Sequence, residues 1–479
     1  MNELLFQAIR EHHQKGVLPF YTPGHKNGRA MDCAFLEFYS AYPLAFDLGF
    51  MGAFDDLHAP VGIIAEAEVA ASRLYGAAHS FFLTNGTTGG IVALLLSMLR
   101  PGQHVILPRN VHRSVMTAMV LGDFIPEFVH TGFEPGSGLV LPLAAEMIPQ
   151  ASWDRASALL VTSPTYHGLA TDIAQLARQA AARKVAFVVD EAHGAHLPFD
   201  SRLPKPALQT GAQAVVQSTH KTLQAITPGA MLHLSGNEPD PARLRQALRM
   251  TQTSSSNYAV LASLDASRHF MEGDGRQRLG VAIDAMGALY TKLCKLDLLH
   301  ALDPHRPPPR GVSAIDPTKL VIDFGAVGLT GYEAAKLLLE EQRIGVELTT
   351  HTSVLLFVTA ADTAVELEEL GDRLIEFALQ RSIRRSPITS EHIPPPNVAG
   401  EMAIAPRNAF FRPQVRIPFS QAIGRIAAEP IVPYPPGVPS IWPGERFCGD
   451  LQLFRAWIDS SKASVQASDS SLETVMVIE

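Results

Sequence analysis

Four short apolar runs, at 103–108, 158–164, 185–191 and 214–220, are continuous rather than alternating. A strand with one face in water alternates apolar and polar residues, so an unbroken aliphatic run implies burial on both faces, the habit of a parallel sheet covered by helices. Helical patterns separate the runs. In residues 172–183, Ile173, Leu176 and Ala180 recur at helical spacing behind the acidic Asp172. Residues 61–303 are therefore expected to form one large α/β domain with a mostly parallel sheet.

Polar residues gather where these runs end, as Thr162-Ser163, Asp190-Glu191 and Ser218-Thr219-His220-Lys221. Open α/β sheets bind ligands at the carboxyl ends of their strands, so the three ends point to one shared site. Upstream, Thr84-Asn-Gly-Thr-Thr88 precedes Gly89-Gly90 and an apolar helical stretch, which offers free backbone N–H groups and hydroxyls to an anion such as phosphate. Arg109-Asn-Val-His112 follows. Taken singly, the glycine loop is an ordinary helix start and Lys221 a lysine snorkelling from a strand end. Together, a phosphate loop, a histidine, a strand-end acid and a strand-end lysine meet the needs of pyridoxal phosphate, which requires a Schiff-base lysine, an acid beside its pyridine nitrogen and a phosphate cradle.

Charge and cysteine content narrow the alternatives. The 479 residues carry 39 Lys and Arg against 47 Asp and Glu, a net charge of −8 that is opposite to the basic footprint of a nucleic-acid binder. Cys33, Cys294 and Cys448 are odd in number and far apart, which favours a reducing compartment over a disulfide framework. No signal peptide is apparent, and the apolar stretch 91–96 is far short of the ~20 residues of a membrane helix, so a soluble cytoplasmic protein is expected. His193 and His196 with Glu191 lack a third ligand at recognisable spacing, so no metal is expected, and His12-His13 reads as solvated helix surface.

The ordered motifs resemble those of the pyridoxal-phosphate-dependent ornithine/lysine/arginine decarboxylases, which have the aspartate-aminotransferase fold. The resemblance spans nearly the whole chain: Tyr21-Thr-Pro-Gly-His-Lys26, Asp55-Asp-Leu-His58, Asp190-Glu-Ala-His193-Gly-Ala-His196, Ser218-Thr-His-Lys221, Thr253-Ser-Ser-Ser256, Pro433-Tyr-Pro-Pro-Gly-Val-Pro439 and Pro443-Gly-Glu445. It implies that Lys221 is the Schiff-base lysine, that Asp190 partners the pyridinium nitrogen and that His112 stacks on the ring. Gly86, Thr87, Thr88, Ser218 and His220 would surround the phosphate, with Thr253 or Ser254 supplied by the neighbouring subunit of a homodimer or higher homo-oligomer. His193 would lie near the cofactor, where the larger inducible bacterial enzymes carry tryptophan. The Cα proton donor stays open among Lys221, His220 and a residue of the mouth.

The decarboxylase motifs begin at Phe20 without the N-terminal wing domain of those larger enzymes, so the chain resembles the short biosynthetic arginine decarboxylases. Arginine is the expected substrate, with lysine and ornithine as alternatives. Glu445 is the expected carboxylate for the guanidinium, with Asp55, Asp56 and His25 as further substrate residues. An aminotransferase is the nearest enzymatic rival, and a catalytically silent regulatory homologue would be expected to lack the lysine or the aspartate. Beyond the large domain, residues 1–60 are expected to serve the active site and dimer. A composition shift through His305-Arg-Pro-Pro-Pro-Arg-Gly311 begins a small α/β domain over 304–385. The loop containing Ile393-Pro-Pro-Pro396 opens a C-terminal domain over 386–479, with a Pro-rich segment and a mobile polar tail from Lys462.

Overall fold

The structure, a computed structural model, describes residues 4–49, 54–134, 137–296, 298–382, 396–434, 437–461 and 464–479. The boundary expected at 386, residues 393–395 of the expected proline loop, and residues 435–436 of the Pro-rich segment lie outside them. The central sheet has seven strands: β1 (His79–Leu83), β2 (His104–Pro108), β3 (Ile125–Val129), β4 (Ala156–Thr162), β5 (Ala186–Asp190), β6 (Ala214–Gln217) and β7 (Ala230–Leu234), in the spatial order β1-β7-β6-β5-β4-β2-β3. β7 runs antiparallel to β1 and β6, and the remaining pairings are parallel.

The continuous apolar runs have a direct structural cause. Ala158, Leu160, Val188 and Val216 enter the core built on the Gly86–Met98 helix, whereas their neighbours Leu159, Val161, Val189 and Val215 enter the core built on the Ile173–Ala182 helix. Each strand thus serves two cores, and each buried aliphatic side chain contributes roughly 1.5–3 kcal/mol. The Ile173–Ala182 helix is capped as its sequence suggests, with the Asp172 carboxylate accepting from the Gln175 amide.

The small domain carries an antiparallel sheet whose central strands are Lys319–Asp323 and Ser353–Phe357, covered by the helices Gly331–Gln342 and Ala364–Ser382. The first of these helices starts with a capping box between Thr330 and Glu333. The N-terminal strand Leu18–Phe20 pairs in parallel with Ile344–Val346 of this domain, and the next turn reaches the large domain where the Gly24 amide donates to the His220 carbonyl. Further on, Ala399–Met402 pairs with Glu445–Phe447. The tail expected to be mobile is ordered instead: Ser464–Gln466 pairs with Val432–Tyr434, and Thr474–Ile478 with Gln414–Pro418. Val475 and Val477 are fully buried, so the alternation in Thr-Val-Met-Val-Ile marks a half-buried strand that overrides the polar composition before it. Among the described residues no helix is long and apolar enough to cross a membrane.

A buried charge cluster joins the large and small domains. Asp316 accepts from Thr318 Oγ1 at 2.7 Å, pairs with His196 Nε2 at 3.0 Å and lies 3.4 Å from Lys319 Nζ, and both Asp316 and Lys319 are fully buried. Burial alone would raise the Asp316 carboxyl, but Lys319 and His196 together hold it well below the usual carboxylate range. Its contribution to stability is therefore complete above the unfolded pKa of about 4 and is lost as pH falls below that value. Asp316→Asn, which leaves Lys319 uncompensated, is expected to cost about 3–5 kcal/mol in denaturant unfolding at pH 7, with most of the loss recovered by adding Lys319→Met.

Candidate active site

β2, β4, β5 and β6 are adjacent parallel strands, so their carboxyl ends lie side by side at one edge of the sheet. Asp190 ends β5, is buried, and accepts from the Ala192 amide at 3.1 Å. Burial pushes its carboxyl up to about 6, with Lys221 and the Ala192 amide only partly opposing the shift. Lys221 sits in the single helical turn Thr219–Thr222 after β6, with Nζ 3.2 Å from His193 Nε2 and 5.8 Å from the centre of the Tyr166 ring. Burial draws the Lys221 ammonium below its usual pKa, Lys319 adds to the effect, and Asp190 and Glu347 oppose it. A lysine amine prepared in this way is more readily available as a nucleophile.

His112 caps the Arg113–Gly122 helix, its Nδ1 accepting from the Ser114 amide at 3.2 Å. Burial, Lys221 and Arg113 lower its pKa to about 4, so the ring is neutral at pH 7. His193 is likewise held neutral by burial and by Lys221, and its ring centre lies 4.3 Å from that of Tyr166.

The Gly86–Met98 helix begins with Gly86 at φ +64°, and no side chain caps its first amides. A positive φ favours glycine, which explains why the loop carries one there. Thr87 Oγ1 lies 3.2 Å from Ser218 Oγ, so two of the expected phosphate hydroxyls meet, while Thr88 is exposed. His220 directs Nδ1 to the Gly229 carbonyl at 2.9 Å and has His25 in electrostatic range. His25 Nδ1 accepts from the Gly28 amide. Thr253 and Ser254 are exposed, in a loop tethered beside the glycine loop by Asn85 Nδ2 to the Thr251 carbonyl. Glu191, His193 and His196 diverge: Glu191 binds Gln217 and the Ala207 amide, His193 faces Lys221, and His196 faces Asp316.

Among the buried polar atoms with no protein partner in the described residues are Asn110 Oδ1, Thr162 Oγ1, His167 Nε2, His193 Nδ1 and Thr219 Oγ1. Buried polar groups are nearly always paired, so the orphans on His193, which contacts Lys221, and on Thr162, the strand partner of Asp190, fit a polar ligand there. The polar set suits a group with a ring nitrogen, a hydroxyl on the ring and a phosphate.

Residues 4–309 match the family model described as "Orn/Lys/Arg decarboxylase, major domain", and residues 395–466 match the C-terminal domain of the same family. The chain belongs to the Orn/Lys/Arg decarboxylase family. The family is generally dependent on pyridoxal phosphate. An arginine decarboxylase of Halalkalibacterium halodurans is 35% identical over 92% of this chain and 90% of its own length, and one of Bacillus subtilis is 32% identical over 99% and 97%. The fold is similar to that of lysine decarboxylase A from Pseudomonas aeruginosa, with a TM-score of 0.75 and 22% identity over 99% of this chain and 82% of that one.

Two substrate residues expected in this decarboxylase are committed elsewhere. Both oxygens of the buried Glu445 carboxylate are held by the Arg109 guanidinium, at 2.5 and 2.8 Å, and Oε2 also accepts from the Trp442 amide. The turn before it, with Gly444 at φ +96°, aims Glu445 at the β2–β3 edge, where it clasps the C-terminal domain to the sheet. Asp55 accepts from the amides of Asp56, Val61, Gly62, Ile64 and Ala65, so it serves the N-terminus of the Ile63–Tyr75 helix. Burial raises its carboxyl, yet the amides outweigh that and lower the pKa. Asp56 closes a local turn onto the His58 amide. Sequence reasoning missed Tyr166 and Glu347. Tyr166 follows the flagged strand end Thr162-Ser163 and could have been found there, whereas Glu347 lies in another domain with no local motif.

The Asp190 shift gives a test. A carboxyl raised to about 6 costs the folded state nothing while protonated, and the cost grows as pH rises from about 4 through 6. Asp190→Asn is therefore expected to stabilise ligand-free protein by roughly 2–3 kcal/mol at pH 8 and not at pH 4, read by denaturant unfolding. An equal effect at both pH values would show that Asp190 carries no desolvation penalty.

Proposed function

We propose that this protein is a pyridoxal-phosphate-dependent arginine decarboxylase that converts L-arginine to agmatine and carbon dioxide. The observation that carries the reading is the desolvated pair of Lys221 and Asp190 at adjacent strand ends, next to His193 and Thr162, which each carry an unpartnered buried polar atom. The choice of arginine rests on the relatives named arginine decarboxylase at 35% and 32% identity over nearly the full chain.

In this reading Asp190 would hold the pyridine nitrogen, His112 would cover the ring, the Gly86 amide, Thr87 and Ser218 would hold the phosphate, and the Lys221 amine would anchor the group. When bound, the cofactor would supply an electron sink for the pair left behind by the departing carboxylate. Lowered basicity eases release of a proton from Lys221 Nζ, and His193 Nε2, 3.2 Å away, can exchange it. Neutral His112 covers the ring without adding a positive charge that would compete with the substrate's cation.

A second copy completes the site. Val61, Ile63 and Met250 are 92%, 64% and 76% exposed beside the loop of Thr253 and Ser254, which His58 Nε2 holds through the Thr253 carbonyl. An apolar rim of this kind suits burial against a partner, and Thr253 or Ser254 would then reach the phosphate in the partner's site.

Borohydride reduction of the purified enzyme is expected to fix the cofactor to the peptide containing Lys221, and Lys221→Ala should abolish both that adduct and carbon dioxide release from arginine. Mapping of the adduct to another lysine, or faster turnover of lysine or ornithine, would refute the respective assignment. Thr253→Ala is expected to weaken cofactor affinity about tenfold and to shift the oligomer toward monomer in sedimentation, because a ligand shared across an interface stabilises assembly.

A further inference from the structure

With Glu445 and Asp55 committed, one acidic side chain near the reactive amine has no assigned role. Glu347 lies between the small-domain strands Ile344–Val346 and Leu348–Thr349. Its carboxylate joins three parts of the chain: Oε1 accepts from the Tyr166 hydroxyl at 2.5 Å and Oε2 from the Thr22 amide at 2.7 Å. Asp190 and Glu347 are the two acids in electrostatic range of Lys221. Asp190 is buried at the end of β5, whereas Glu347 is partly exposed and comes from the small domain. Nearby Lys26 is committed to the carbonyls of Tyr21 and Phe357, and Lys319 to Asp316, so neither ammonium bonds Glu347.

Distance and bonding capacity agree. The Tyr166 ring stands 5.8 Å from Lys221 Nζ and carries Glu347 on its hydroxyl. The amine thus lies over the face of the ring and the carboxylate at its hydroxyl edge, so both groups border the same aromatic side chain. A carboxylate has about four acceptor sites, so with one bond on each oxygen Glu347 keeps roughly two, the number a guanidinium fork uses.

We propose that Glu347 is the specificity-determining carboxylate that binds the cationic end of the substrate side chain, held in orientation by Tyr166 and the Thr22 amide. This rests on the arginine decarboxylase reading of the site. Recognition then draws on the large domain, the small domain and the N-terminal segment at once.

The test compares wild-type holoenzyme with Glu347→Gln in steady-state decarboxylation of arginine and in calorimetric titration with agmatine, which keeps the guanidinium but lacks the carboxylate. The variant is expected to bind agmatine about tenfold more weakly or worse and to raise the KM for arginine by a similar factor, with a smaller change in kcat and unchanged cofactor absorbance. Unchanged agmatine affinity overturns the proposal, and if kcat falls alone, Glu347 acts on the reacting centre instead. Should Glu347→Gln fail to fold by circular dichroism, Glu347→Asp, which withdraws the carboxylate by one methylene, carries the same expectation with a smaller shift, and wild-type agmatine affinity in it overturns the proposal. Wild-type enzyme inert toward arginine, lysine and ornithine removes both readings, whereas an active wild type with indifferent variants removes this one alone.

Discussion

Burial of the central sheet on both faces governs where this protein can do chemistry. The apolar side chains along β4, β5 and β6 are claimed by one of two cores, so reactive groups have room chiefly where the strands stop. Asp190 is the last residue of β5, and Lys221 follows β6 after one turn. The same low-polarity surroundings that stabilise the sheet raise the Asp190 carboxyl and lower the Lys221 ammonium, so the packing that builds the fold also adjusts the proposed reactive pair.

Charged residues away from that pair divide by what they join. Asp316, Lys319 and His196 tie the small domain to the loop after β5, and Arg109 with Glu445 ties the C-terminal domain to the opposite edge of the sheet. Both are buried pairs at domain seams, where loss of one partner is costly and geometry is fixed by two bodies at once. Glu347 belongs to the same pattern, but its oxygens meet a tyrosine and an amide rather than a cation, and that leaves its charge available.

The fold and the centre of the site were legible in sequence because their signals are local. Continuous apolar runs gave β2, β4, β5 and β6 to within three residues of their observed ends, and strand-end polarity pointed to Asp190, Ser218 and Lys221 as candidates. β1, β3 and β7 show no such run; β3, Ile-Pro-Glu-Phe-Val, carries a proline and a glutamate, as suits the edge of the sheet. The tail was misjudged because serines at 468, 470 and 471 mask the Val475 and Val477 alternation that follows.

Sequence alone determined which residue types stand at the strand ends and in what order, since register and periodicity act over a few residues. The partners of acids that lie hundreds of residues apart were decided only by the tertiary structure. Glu445 and Asp55 look like substrate carboxylates in their motifs, yet the first is held by Arg109 across 336 positions and the second by the amides of its own helix start. Glu347 shows nothing in its motif, and the packing of two domains brings it beside Tyr166, 181 positions away. A carboxylate acquires its role from the donors that surround it, and those donors are assembled by folding.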